Sequence, residues 1–210
     1  NLFFVWDAET TLDDGAEIVL GGEGFEGAPF PNVIRLVFEA LMENPDFRMT
    51  FADRLYRHTS EGGALSDAAA QQRWLDITDP LKTAIIAESA RWGDVRSDSP
   101  ITQADWLAAR DDVLGQLAGN GAKLRELARD AGYYPSVDPP RFGVTDPVFD
   151  GDLVLGMEWG SEEVGDDIYF TTDGTDPRLS GSGEISRSAI RYVEPLVLTD
   201  ATHVKARAYD

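Results

Sequence analysis

Two acidic residues near the start of the chain, Asp7 and Glu9, are the side chains best placed for metal chemistry. They follow the apolar run at residues 2–6, and their alternate spacing puts both carboxylates on one side of an extended chain. Carboxylates at the end of a buried strand are ligands that Mg²⁺ uses when it is bound against nucleotide phosphates. Any strand can end this way at the surface. The pattern is therefore compatible with two interpretations, a metal site and an ordinary strand end.

The composition excludes several other kinds of site. The 210 residues include no cysteine and only two histidines, so thiolate metal sites, disulfides and histidine-rich metal motifs are excluded. With 38 acidic and 18 basic residues, the formal net charge is −20. This charge repels nucleic acid and anionic membranes, and we expect neither a nucleic-acid partner nor membrane insertion. The negative charge is compatible with a surface adapted for solubility or for high salt. It is also compatible with an element that responds to cations.

The region between Pro31 and Gly132 has the periodicity of helices. Apolar residues recur at three-to-four spacing, which predicts four helices with short connections, enough for one core. Ser66 and Thr102 are predicted N-caps, and Pro80 is predicted to kink or divide the third segment. Trp74 and Trp92 are predicted core residues of this region.

After a proline-rich stretch the period changes to two. Short runs rich in Val, Ile, Tyr and Thr, separated by Gly, Asp and Pro, predict a small antiparallel β unit. The fold class is therefore α+β, with a mainly helical domain at 1–142 and a β domain at 143–210.

An ordered series of motifs in the first domain resembles the spore-coat protein H (CotH) family of kinase-like proteins. The motifs are FFVWDAETTL, NPDFRMTFADRLYRH, GGALS, AIIAESARWGD, TQADWLAARD and GYYPSVDPPRF. The resemblance implies that the helical bundle corresponds to the C-terminal lobe of an atypical kinase fold. It further implies that Asp7 is the metal-binding aspartate, with Glu9 beside it.

The same resemblance sets expectations for activity and location. The full-length parent would be a secreted or cell-surface protein that transfers the ATP γ-phosphoryl group to protein hydroxyls, with Mg²⁺ and ATP as cofactors. Many members carry Asp where this chain has Glu9, and the family's nucleotide-binding lysine and catalytic aspartate precede Asp7 in the family order. We therefore interpret the chain as an inactive C-terminal fragment without catalytic residues or cofactors of its own, whose first partner is the missing N-terminal part.

The β region is similar to the chitobiase and β-hexosaminidase C-terminal-like (Fn3-associated) module. The similarity rests on IYFTTDGTDPR followed by EPLVLTDATHVKARA, and it implies a small immunoglobulin-like sandwich without catalytic residues. Asp173 and Asp176 fit turns better than a Ca²⁺ loop. Trp159 and Tyr169 fit a core or cross-strand pair better than sugar stacking.

The remaining charged residues favour structural roles. Glu88 and Arg91 are three residues apart and can pair at a helix end, or they could brace the Asp7 loop. His58 and His203 have no nucleophile at a recognisable spacing, so no catalytic triad is predicted. The alternative to a kinase parent is a non-catalytic extracellular scaffold that binds protein or polysaccharide.

Overall fold

The computed structural model describes residues 33–95, 99–144, 148–160, 165 and 167–210. Asp7 and Glu9, the predicted metal ligands, lie outside these residues. Within them, no helix has the length and apolar character needed to cross a bilayer.

The described chain is α+β, with helices followed by small antiparallel sheets. The helices are α1 (Val33–Met42), α2 (Pro45–Thr59), α3 (Asp67–Thr78), α4 (Lys82–Trp92), α5 (Gln103–Gln116) and α6 (Asn120–Asp130), with a 3₁₀ turn at Asp79–Leu81. The described residues therefore contain more helices than the four that the periodicity predicts. The difference arises at Pro80 and at the glycines near residue 119, where one predicted segment becomes two helices.

The helix boundaries follow capping chemistry. Ser66 accepts a hydrogen bond from the Ala69 N–H at 3.4 Å, so the predicted cap is confirmed. Thr102 and Asp105 form a complete capping box, which is also confirmed. Asn44 lies between α1 and α2. Its side chain accepts a hydrogen bond from the Asp46 N–H at 2.9 Å and so caps the start of α2.

The described residues form two compact units. One contains Arg57–Leu127, and the other contains residues 33–56 together with Ala128–Asp210. The second unit thus combines α1 and most of α2 with the β strands. The boundary at 142/143 stays a prediction for the domain organisation.

The first unit has few buried side chains. None of the hydrophobic side chains described between residues 57 and 127 is buried, and Ile77, Leu81 and Trp92 are 64 %, 44 % and 50 % exposed. The prediction that Trp92 is a core residue is wrong. Trp92 is the last residue of α4, and the Arg91 guanidinium lies over its ring at 4.8 Å, which leaves the indole at the surface. Trp74 is half-buried, and its indole N–H donates to the Arg110 carbonyl at 3.0 Å.

The two tryptophans are expected to differ in their contribution to stability. Trp92→Ala should lower the free energy of unfolding by about 1 kcal/mol or less, since only the cation–π contact and partial burial are lost. Trp74→Ala should cost roughly 2 kcal/mol because half-burial and a hydrogen bond are lost. Hydrogen exchange of the α3 and α4 amides measures both. Equal losses would contradict the observed burial.

The strands form three small sheets in the second unit. They are β1 (Arg141–Phe142), β2 (Leu153–Leu155), β3 (Met157–Glu158), β4 (Asp167–Thr171), β5 (Ile190–Arg191), β6 (Leu196–Leu198) and β7 (Lys205–Tyr209). The sheets are β1–β3, β2–β6 and β5–β4–β7, and all pairs are antiparallel. These strands confirm the prediction that the runs with a period of two form an antiparallel β unit. We call residues 153–210 the β module.

The β module has a true apolar core. Leu155, Met157, Ile168 and Phe170 are buried, with Trp159 and Tyr192 among the side chains that pack against them. Ile168 and Phe170 alternate with half-buried Tyr169 along β4, as the period of a strand requires. Burial of alternate residues explains why this part of the chain forms strands.

A second apolar cluster joins α1 and α2 to the segment after α6. The Phe38 ring makes edge-on contacts with Phe51 at 5.4 Å and with Tyr133 at 5.5 Å between ring centroids. Tyr134 and Val137 are buried in the same segment. These contacts place α2 next to residues that lead into the strands.

Candidate functional site

The predicted metal ligands, Asp7 and Glu9, lie outside the described residues. Over the part of the chain that the structure describes, no three or more His, Asp or Glu side chains converge closely enough to bind a metal ion. The richest polar cluster lies instead between α2 and the β module, inside the second compact unit. We call Asp46, Asp53, Asp176, Arg178 and Arg207 the Arg–Asp network.

The first half of the network is built on Asp46. Its carboxylate accepts hydrogen bonds from Arg178 Nη1 at 2.7 Å, from Ser180 Oγ at 2.5 Å and from the Gly181 N–H at 2.9 Å. The Arg178 hydrogen bond, followed by those of Gly181 and Ser180, lowers the pKa of Asp46 well below its usual range. Asp46 therefore remains ionised throughout the physiological pH range.

The second half is built on Arg207 in β7. Its guanidinium pairs with Asp53 through Nη1 and Nη2 at 2.5 and 2.8 Å. It also pairs with Asp176 through Nε and Nη2 at 3.0 and 2.7 Å. Burial alone would lower the pKa of Arg207, but the hydrogen bonds with the two aspartates outweigh burial and raise it. The Arg207 guanidinium thus makes two bidentate pairs, of which the pair with Asp53 joins α2 to the β module and the pair with Asp176 lies within the module.

The loop after β4 fixes the position of Asp176 and Arg178. Asp173 Oδ1 accepts from the Thr175 N–H at 2.9 Å, and Asp176 Oδ1 accepts from the Arg178 N–H at 2.9 Å. These contacts confirm the predicted turns. Gly174 has a φ of +77°, and a Cβ there would lie 2.6 Å from the His203 ring, so this position requires glycine.

Two cavities adjoin the network. The first has a volume of about 180 Å³ and is lined mainly by apolar side chains of α2, of the 134–139 segment and of β7. The second has a volume of about 220 Å³ and is lined by Pro45, Arg48, Met49, Gly132, Tyr133, Tyr134, Pro135 and Arg178. Both share Met49, Tyr134, Pro135 and Arg178 in their walls, so the cavities are neighbours.

The other predicted residues have structural surroundings. Tyr169 makes an edge-on contact with Tyr209 at 5.5 Å, and Trp159 packs against the core of the β module, which confirms both predictions. His203 forms a bridge with Asp173, just before β7. Among the described residues, Glu88 and Arg91 form no ion pair, because the Arg91 guanidinium lies over Trp92 instead.

Sequence reasoning missed the Arg–Asp network. The sequence patterns did not single out Asp53, Arg178 or Arg207. A signal was present, because Asp46 and Asp53 are seven residues apart on a helix and therefore lie on one face, two turns apart. The partners of such a face are distant in sequence, so their identity could not be found from spacing.

Comparison with known proteins identifies part of the chain. The sequence profile of the Fn3-associated family matches residues 158–210, so the C-terminal part of this chain is an Fn3-associated module. The match includes the last residue of β3 and all of β4 to β7, together with Asp176, Arg178 and Arg207. No curated protein and no solved structure matched the chain.

Proposed function

We propose that this chain is a non-catalytic scaffold of a secreted protein, in which the Fn3-associated module is fixed to a helix and presented for interaction. The observation that carries the proposal is the Arg–Asp network. Its two arginines come from the module and two of its three aspartates, Asp46 and Asp53, come from α2. A module on a flexible linker would not need such pairs.

The burial of the two arginines supports a fixed attachment. The side chains of Arg178 and Arg207 are only 12 % and 17 % exposed. Removing a guanidinium from water is costly unless carboxylates replace its hydration, and both arginines have such partners here. Separating the module from α2 would leave Asp46 and Asp53 without these arginine partners. The energetics therefore favour one rigid arrangement over independent motion.

The helical unit supports an interaction role. Leu65, Ile77, Ile86, Val95 and Ile101 are all more than half exposed in this unit, and Trp92 is 50 % exposed. We propose that these side chains form one apolar patch, because a contiguous patch of this kind marks a surface that another protein covers. We propose that an extracellular protein, or another part of the same protein, covers it.

Backbone ¹⁵N relaxation of the full chain tests the fixed attachment. Amides at residues 33–56 and in the β module should report the same rotational correlation time. The double variant Arg178→Met, Arg207→Met should make the two times differ, whereas Arg191→Met, which removes an exposed pair with Asp167, should not. Different times in the unaltered protein would refute the proposal.

Two finer structural proposals accompany this function. The pairing of β4 with β5 and β7, and of β2 with β6, supports an immunoglobulin-like sandwich for the module. The succession of helices between residues 33 and 130 supports a relationship to the C-terminal lobe of a kinase fold.

A second candidate function is ATP-dependent phosphoryl transfer by the longest natural form of the protein. The ordered CotH-like motifs support it, with Asp7 and Glu9 as Mg²⁺ ligands. Calorimetric titration with ATP and Mg²⁺, beside Asp7→Ala, tests this candidate. Binding that disappears in the variant supports it, and absence of binding in both proteins contradicts it.

A further inference from the structure

The 220 Å³ cavity beside α2 has a chemical character that differs from the rest of the chain. Two guanidinium groups, Arg48 and Arg178, line it, and none of its described lining residues is acidic. The protein as a whole has 38 acidic residues. We propose that this cavity and its 180 Å³ neighbour together bind an acidic peptide segment. A carboxylate would pair with the two arginines, and an apolar side chain would enter the neighbouring cavity.

The arginines retain donors for such a carboxylate. Arg48 donates through Nη1 to the Met42 carbonyl at 2.7 Å and more weakly to the Glu43 carbonyl. Arg178 donates through Nη1 to Asp46. Within the described residues, the Nε and Nη2 groups of both arginines have no hydrogen-bond partner. A guanidinium offers its five N–H donors in a fixed planar fork, which matches a carboxylate.

The local charge also favours an anion. Asp46 neutralises Arg178, but Arg48 has carbonyl partners and no acidic partner among the described residues. The 220 Å³ cavity therefore contains one guanidinium, that of Arg48, without an acidic partner among the described residues, whereas the neighbouring cavity is lined by Arg207, which pairs with Asp53, and by Asp210. The more distant acidic residues act weakly, because physiological salt screens exposed charges beyond a Debye length of about 8 Å.

The neighbouring cavity favours a peptide over a saccharide. Met49, Ala52, Val137, Pro139 and Ala208 give it aliphatic walls, beside the charged side chains of Asp53, Arg178, Arg207 and Asp210. Sugar rings stack on open aromatic faces, whereas Tyr134 is buried with Arg129 over its ring at 5.2 Å, and Tyr209 is half-buried in contact with Tyr169. An extended peptide places side chains i and i+2 on one side, roughly 7 Å apart, which suits two adjoining cavities.

Titration of the ¹⁵N-labelled full chain with short capped peptides tests the proposal. Acetyl-Glu-Ala-Leu-amide should shift the amide signals of Met49 and Tyr134 in a saturable manner. The Gln-Ala-Leu and Glu-Ala-Ser analogues, which lack the charge and the apolar side chain, should bind at least tenfold more weakly. Equal binding of the Gln analogue would overturn the proposal. Tighter binding of glucuronic acid than of the peptide would replace it with a saccharide site.

A matched set of variants on α2 separates the site from general effects of charge. Arg48→Met should weaken the peptide at least tenfold, and Arg48→Lys should give an intermediate loss. Arg54→Met, at an exposed position of the same helix, should leave binding unchanged. Equal effects at positions 48 and 54 would overturn the proposal. Circular dichroism confirms that each variant is folded.

The proposed peptide site rests on the fixed attachment, since its walls come from α2 and from the β module. Arg48 lies outside the Arg–Asp network, however, and the relaxation experiment reports the attachment without any peptide. A fixed module that binds no peptide would therefore reject this inference and retain the proposed function.

Discussion

Replacing Phe170 by alanine is expected to lower the stability of the β module by roughly 3–5 kcal/mol, the usual cost of removing a buried phenyl ring. Phe170 is 6 % exposed in the central strand β4 and makes an edge-on contact with Tyr192 at 6.4 Å between ring centroids. Its strand pairs with β5 on one side and β7 on the other. The cavity left by the ring would therefore lie where the three strands meet.

Native-state hydrogen exchange of the β4 and β7 amides measures this loss without assuming that the whole chain unfolds together. Val154→Ala is a suitable control, because Val154 is 61 % exposed in a strand of the same module. Its effect should stay within about 0.5 kcal/mol. Similar losses in the two variants would show that Phe170 is not part of a packed core.

The second large effect is expected from Arg207→Met. This change keeps an apolar stem but leaves Asp53 and Asp176 facing each other without their shared guanidinium. Breaking a fully buried pair costs about 3–5 kcal/mol, and because the two aspartates are 44 % and 38 % exposed we expect roughly 2 kcal/mol. Thermal unfolding should shift down by about 4–8 °C if the chain behaves as one domain of its size.

Arg191→Met provides the control for Arg207, since the Arg191 side chain is 59 % exposed and its pair with Asp167 is a surface pair. Its cost should not exceed about 1 kcal/mol. A loss as large as that of Arg207→Met would show that burial of the network has no special effect.

Acid titration gives an independent check on the network. Burial raises the pKa of Asp176, but the Arg207 hydrogen bond outweighs it and the net shift is downward, as for Asp46. A carboxyl group with a lower pKa in the folded state stabilises the fold above its unfolded value of about 3.9 and loses that contribution as the pH falls. Unfolding curves of the unaltered protein and of Arg207→Met should therefore converge below pH 4. Parallel curves would contradict the pairing.

Local chemistry made the element boundaries predictable. Ser66, Thr102 and Pro80 act through hydrogen bonds and steric effects within a few residues, and each is found in its predicted role. The strands were predictable for the same reason, because the alternation of apolar and polar residues is visible in neighbouring positions of the sequence. The number of helices was less accurate, since one glycine-containing segment can either continue a helix or divide it.

Burial and pairing at a distance were less predictable. Trp92 has the size and hydrophobicity of a core residue, but its position at the end of α4 leaves it exposed. The partners of Arg178 and Arg207 on α2, Asp46 and Asp53, are more than a hundred residues earlier in the chain. Nothing in the sequence near either arginine identifies these partners. The candidate site was therefore beyond pattern analysis, although the helical spacing of its two aspartates was visible.

The seven-residue spacing of Asp46 and Asp53 has a consequence for the orientation of the β module. At a rise of 1.5 Å per residue, the two aspartates are about 10 Å apart along the axis of α2. Arg178 contacts one of them and Arg207 the other. A single ion pair would allow the module to pivot about it, whereas two pairs at this separation fix the direction of the module along the helix.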